Sequence, residues 1–196
     1  MSTPTTPMVA VLAGINGAGK TTTALPILTA SLGIRVFVNA DTIARGLNAL
    51  DVESEAVKAG RLMLAHLDEL ATARRSFAFE TTLSARTYAP RLEALRAAGY
   101  ASHLFYFWLK SPEVAIQRVA ERVRSGGHHI PDETIRRRYS RSVRNFLELY
   151  RPIVTTWTVY DNTDKEPRVL ALYNGYYETV VDQDRWELFN RSATDD

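Results

Sequence analysis

Met8-Val-Ala-Val-Leu-Ala13 runs directly into Gly14-Ile-Asn16-Gly17-Ala18-Gly19-Lys20-Thr21-Thr22. The first six residues are apolar without alternation, the pattern of a strand buried on both faces. The next stretch matches G-x-x-x-x-G-K-[ST] from Gly14 to Thr21, with helix-compatible residues behind it. Glycines let backbone N–H groups turn inward toward phosphate oxygens, and the following helix N-terminus adds its dipole. Lys20 is placed to set a positive charge between β- and γ-phosphates, and Thr21 to offer a hydroxyl to Mg²⁺. Chance alone yields such a match in roughly one random chain of this length in a hundred. The preceding strand lowers that further, so the stretch implies nucleoside triphosphate binding. Pro26 falls within the helix that follows, where it should kink or shorten it downstream of the phosphate-facing turn.

Outward from this loop, short apolar runs alternate with helix-length segments. The runs are 8–13, 34–39, 76–80, 101–109 and 155–160, separated by periodic segments at 54–75, 86–98, 112–125 and 132–150. Strand–helix alternation of this kind predicts an α/β fold with three layers, a mostly parallel five-stranded sheet covered by helices on both faces. Asn174-Gly175 predicts a two-residue turn joining 169–173 to 176–181, a C-terminal β-hairpin extension. Residues 1–7 read as a disordered tail and 8–196 as one domain, since neither repeats nor a dividing linker are visible. The stretch after Asp182, with Trp186 and Phe189, suits either a short helix on the body or a contact for another chain.

Composition narrows the class without naming it. With 196 residues, 45% hydrophobic and 23% charged, the chain is long enough to bury a core unaided. Cys is absent, which excludes disulfides, thiolate metal sites and a cysteine nucleophile. Net charge is only +2, so nucleic-acid binding would need local clustering. No stretch approaches the ~20 apolar residues of a membrane span, and no signal-peptide pattern opens the chain, which sets a cytoplasmic protein as the expectation.

The same loop serves several nucleotide-binding classes. A guanine-reading Asn-Lys-x-Asp is missing, and so is the Leu-Ser-Gly-Gly signature of transporter ATPases. A small-molecule kinase remains, which requires an acid at the end of the second strand and an arginine-rich lid. Asp41 closes the 36–41 segment, where a carboxylate can take the proton of a hydroxyl attacking the γ-phosphate. The bland alternative for Asp41 is a helix N-cap. Glu80 closes the third strand and is followed by Thr81-Thr82, which suggests contacts to a substrate hydroxyl or to Mg²⁺-bound water. Between 118 and 151 nine arginines face four acids, and 118–145 reads as the lid region. On the 132–150 helix, Ile135, Tyr139, Val143, Phe146 and Tyr150 keep one apolar face, flanked by a stripe of Arg138, Arg141 and Asn145. Gly126-Gly-His-His-Ile-Pro131 reads as a loop able to close on ATP. A metal role for its two adjacent histidines has little support.

Gly14 to Thr22, Asn39-Ala-Asp41, Phe79-Glu-Thr-Thr-Leu-Ser84, Gly126-Gly-His128 with Ile130-Pro131, and Arg136-Arg-Arg-Tyr-Ser-Arg-Ser142 together resemble the zeta-toxin-like P-loop kinases. The resemblance runs from about residue 8 to 162 in the family's order. It implies phosphorylation, with ATP and Mg²⁺, of the sugar 3′-hydroxyl of UDP-N-acetylglucosamine. By position it implies Asp41 as the base, Lys20 as the phosphate-binding lysine and Glu80 as a substrate contact, with Thr81 and Thr82 beside it. It further implies Arg122 and Arg138 at the γ-phosphate, and Arg118 and Asn162 at adenine. The loop residues Gly14, Asn16, Gly17, Ala18, Gly19, Lys20, Thr21 and Thr22 hold the nucleotide, with Thr21 as the Mg²⁺ ligand. Partners implied are ATP, a small hydroxyl-bearing substrate and an antitoxin protein. The longer substrate-binding regions of the toxins have no match here, so the resemblance carries phosphoryl transfer to a hydroxyl further than it carries that one sugar. Two other classes stay open: an ATP-binding regulatory module, disfavoured by the retained Asp41 and Glu80, and a nucleic-acid kinase, disfavoured by the weak net charge.

Overall fold

The computed structural model describes residues 6–127, 129–164 and 166–194. Residues 1–5 of the expected tail and His128 of the expected lid loop lie outside them, while the carbonyl of Pro7 already accepts a hydrogen bond from the Ala101 N–H.

The strands are β1 Met8–Ala13, β2 Phe37–Val38, β3 Phe77–Thr81, β4 Ala101–Trp108, β5 Thr156–Asp161, β6 Arg168–Tyr173 and β7 Glu178–Val180. They form one sheet in the order β2-β3-β1-β4-β5-β6-β7. The first five run parallel, and β6 and β7 add antiparallel strands beyond β5. The hairpin therefore widens the five-stranded sheet to seven. β1 lies between β3 and β4, and from Val9 to Ala13 it is fully buried, as its unalternating apolar run requires.

The helices are α1 Lys20–Pro26, α2 Ala40–Leu47, α3 Ala56–Thr72, α4 Ala89–Ala97, α5 Pro112–Arg124, α6 Asp132–Asn145 and α7 Gln183–Arg191. α1 ends at Pro26 and continues as a wider π turn over Ile27–Ser31, because the ring cannot accept the α-helical register of the turn before it. α6 likewise widens into a π turn over Phe146–Tyr150. Its expected apolar face is intact: Ile135, Tyr139, Val143, Phe146 and Tyr150 are all buried.

Two expectations change, and a choice left open by the sequence is decided. β2 is two residues long because the Asn39 side chain accepts from the N–H groups of Asp41 and Thr42, at 2.8 and 3.1 Å, which turns the chain from ladder into helix. The hairpin loop spans four residues because the Asn174 side chain accepts from the N–H groups of Tyr176 and Tyr177, holding both out of the ladder. The stretch after Asp182 folds as α7, capped by the Asp182 side chain, and buries Trp186 and Phe189.

Candidate active site

The C-terminal ends of β1, β2 and β3 meet at one edge of the sheet, the place where open α/β sheets bind ligands. Because β3 pairs with β1, Leu12 stands opposite Glu80, and the acid arrives beside the glycine loop. There three groups converge on Glu80. Its Oε1 lies 3.3 Å from Lys20 Nζ, and its Oε2 accepts from Thr21 Oγ1 at 2.6 Å and from Asn39 Nδ2 at 3.0 Å. Lys20 is 6% exposed and also donates to the Ile15 carbonyl at 3.0 Å, so its charge is fixed in direction before any ligand arrives. Of the two readings open for Glu80, this geometry favours the one at the cation, since its contacts are Lys20 and the Thr21 hydroxyl, the residues expected at the phosphate and at Mg²⁺.

Asp41 is not the cap of α2. Asn39 takes that position, and Asp41 stands in the first turn with an exposed side chain. It lines a two-lobed cleft. The larger lobe, about 430 Å³, is bordered by Lys20, Glu80, Thr82 and Tyr88; the smaller, about 280 Å³, by Glu53, His129, Pro131 and Arg137. Asp41, Asn16 and Arg138 border both. Arg138 reaches back from α6 to donate to Asn16 Oδ1 at 2.9 Å, which links the lid region to the glycine loop. Burial, and then the charge of neighbouring Arg137, lower the Arg138 pKa, while Asp41 acts in the opposite sense. The guanidinium thus faces the Asp41 carboxylate without a closed ion pair.

The structure does not gather every expected residue. Arg122 is exposed on α5 and borders neither lobe; its carbonyl instead accepts the Gly127 N–H and shapes the turn out of the helix. Arg118 donates to the Thr163 carbonyl at 2.8 Å, so it braces the segment after β5. Asn162 donates its amide to the Ala18 carbonyl at 2.6 Å, which ties the end of β5 to the glycine loop. Thr81 and Thr82 border the larger lobe, yet the Thr81 hydroxyl accepts the Leu83 N–H and the Thr82 hydroxyl bonds Ser84. Arg141 points away from the cleft, and Asn145 is buried and donates to the Leu83 carbonyl. The role of Asn39 escaped the sequence reading, although an Asn two positions before an acid at a strand end is a recognisable cap signal.

A second cluster supports the cleft wall. α6 and its π turn hold the loop after β3 through Ser142 to the Thr82 carbonyl, Asn145 to the Leu83 carbonyl and Tyr150 to the Ala85 carbonyl, at 2.6, 2.9 and 2.6 Å. Leu83, fully buried, is kept at φ 59°, a conformation that side chains resist and that these bonds impose.

The family model for zeta toxins matches residues 1–170. The chain belongs to the zeta toxin family. A curated relative of this family member is an uncharacterized protein from Haemophilus influenzae, 28% identical over 126 residues, which covers 64% of this chain and 88% of that one. Among solved structures, the AvrRxo1-ORF1:ORF2 complex with ATP aligns at a TM-score of 0.75 and 17% identity, over 94% of this chain. The zeta toxin family chain spans 63% of the length of that match. The PezAT toxin–antitoxin system of Streptococcus pneumoniae aligns at 0.64 and 16% identity, over 96% of this chain and 86% of that one. Shikimate kinase from Acinetobacter baumannii, in complex with shikimate, aligns at 0.50 and 22% identity, over 83% and 86%. At these identities the structures establish the fold, that of the P-loop kinases. Among the described residues no helix is long and apolar enough to cross a membrane.

Proposed function

We propose that the chain is an ATP-dependent kinase that transfers the γ-phosphate to a hydroxyl of a small molecule. The observation that carries this reading is the convergence of Lys20, Thr21 and Asn39 on Glu80, with Asp41 and Arg138 bordering the same cleft. A phosphate grip explains Lys20 and Thr21 by themselves. It does not explain an exposed acid and a half-buried arginine facing each other across the adjoining space. In the proposed reaction Asp41 accepts the proton of the acceptor hydroxyl as its oxygen attacks the γ-phosphorus, and the bond to the β,γ-bridging oxygen breaks to release ADP. Lys20 and Arg138 stabilise the negative charge that spreads over the transferring group.

The donor set at Thr21 and Glu80 consists of hard oxygens, 2.6 Å apart, which suits Mg²⁺ held chiefly by phosphate oxygens and water. Thr21 would be its direct ligand and Glu80 would orient its water, and the ion would supply neutralisation of the triphosphate charge.

Family membership supports UDP-N-acetylglucosamine as the first acceptor to test and an antitoxin protein as a partner to look for. The experiment compares wild type with Asp41→Asn, given ATP, Mg²⁺ and a panel of UDP-sugars, simple sugars and nucleosides. One acceptor should stimulate ADP release, and the variant should lose about 10²–10⁴-fold of that rate while still binding ATP. Tight ATP binding without any acceptor-dependent turnover would replace this reading with that of a regulatory module.

A further inference from the structure

The back of α6 borders a second concavity. While Arg138 turns toward the cleft, Ser140, Arg141 and Arg144 line a separate cavity of about 580 Å³, closed by the turn into α5 and by Leu188 and Ser192 at the end of the chain's last helix. Lys110, Arg136, Arg137, Arg141 and Arg144 surround it, and Glu113 is the sole carboxylate in its lining. Glu113 is already paired with Arg136, and Arg144 directs Nε and Nη2 to the Ala193 carbonyl at 3.1 and 2.9 Å. Lys110, Arg137 and Arg141 form no ion pair among the described residues.

Exposed arginines on a helix are ordinarily just solvated, and charge alone would carry little. Ser140 is different. It is 4% exposed, and its hydroxyl has no hydrogen-bond partner among the described residues. Among those residues no fully enclosed side-chain polar atom lacks a partner, so this hydroxyl keeps an opening, and Ser140 lines the cavity. A nearly buried hydroxyl on the wall of a concavity that Lys110, Arg137 and Arg141 border without an ion pair suits an anion with several acceptor oxygens.

We propose that this cavity binds a compact phosphate-bearing anion, with Lys110, Arg137 and Arg141 supplying the charge and Ser140 a hydrogen bond. The site is distinct from the cleft of the proposed kinase reaction, although Arg137 borders both. Its concave shape, with Pro112 and Leu188 as apolar walls, favours a small ligand over an extended nucleic-acid strand.

Inorganic pyrophosphate is the probe, measured by calorimetry on the full chain. Because pyrophosphate also suits the glycine loop, the background is Lys20→Ala, which removes that grip. The chain carrying only this change should still bind pyrophosphate. Adding Lys110→Gln and Arg141→Gln, two exposed positions that border neither lobe of the cleft, should weaken binding at least about tenfold with unchanged thermal melting. Ser140→Ala should weaken it as well. Loss of all binding in Lys20→Ala overturns the proposal, as does binding indifferent to Lys110 and Arg141. Binding of a short oligonucleotide but not of pyrophosphate overturns it in favour of nucleic acid. None of these readouts involves turnover, so they stand or fall apart from the kinase reaction.

Discussion

Gly14 and Gly19 bracket the phosphate loop, and each is held by a different kind of neighbour. Gly14 has φ +137°, and a Cβ added there would run into the backbone carbonyl oxygen of Phe107 in β4. Gly19 has φ +75°, and its added Cβ would stand 2.5 Å from the Asn162 amide nitrogen. A carbonyl inside a sheet cannot yield, whereas a side-chain tip can swing away. Gly14→Ala should therefore cost roughly 3 kcal/mol or more, from strain plus overpacking, and Gly19→Ala distinctly less. Urea midpoints of the two variants give the order, and the reverse order would show that Asn162 is the stiffer neighbour. At this scale the sequence disclosed the loop, its lysine and its hydroxyl, because a contiguous stretch carries them. It disclosed less about Asn162, whose amide reaches Ala18 across 144 positions of chain.

Among the elements, β4 carries a titratable group that the proposed chemistry does not use. His103 is half-buried between strands, its Nδ1 2.6 Å from Thr156 Oγ1 and its Nε2 3.2 Å from Thr158 Oγ1, with the Phe105 ring at 4.1 Å. Burial lowers its pKa to about 4. The unfolded chain, with the ordinary value near 6.5, takes up the proton first as acid is added. This contribution to stability is full above about pH 6.5 and is lost as pH falls toward 4, reaching about 3 kcal/mol at the acid end. His103→Gln should flatten that part of the profile, so the stability gap between wild type and variant changes between pH 7 and 4.5. A gap constant with pH would mean the folded protein holds the ring in its charged form without penalty. Element types were legible from periodicity, whereas element ends were decided by side chains: Asn39 shortened β2, Pro26 ended α1, and Asn174 lengthened the hairpin loop.

Across the whole molecule, α7 closes an aromatic cluster drawn from distant parts of the chain. Phe189 is fully buried and meets Tyr106, Trp108, Phe146 and Trp186 at ring separations of 5.5, 5.9, 5.6 and 5.0 Å. Trp186 in turn stacks on Trp157 at 6.0 Å, and Arg185 pairs with Asp161 at the end of β5. α7 thereby backs α6, the helix that carries Arg138. Phe189→Ala should lower stability by roughly 3–5 kcal/mol, measured by chemical denaturation. A loss below about 1 kcal/mol would show that the cluster closes without it.

By itself the sequence determined the phosphate loop, the alternation that makes a layered α/β fold, and the two acids worth watching. These are local signals, written within a strand, a turn or a helix face. Only the tertiary structure decided that Glu80 belongs to Lys20 and Thr21, that Arg138 and not Arg122 reaches the cleft, and that the far side of α6 borders a cavity of its own. Thr21 and Glu80 are 59 positions apart, and Asn16 and Arg138 are 122 apart. Their meeting depends on β3 pairing beside β1 and on the apolar face of α6 packing inward, choices made by burial over the entire chain, which no short stretch of it encodes.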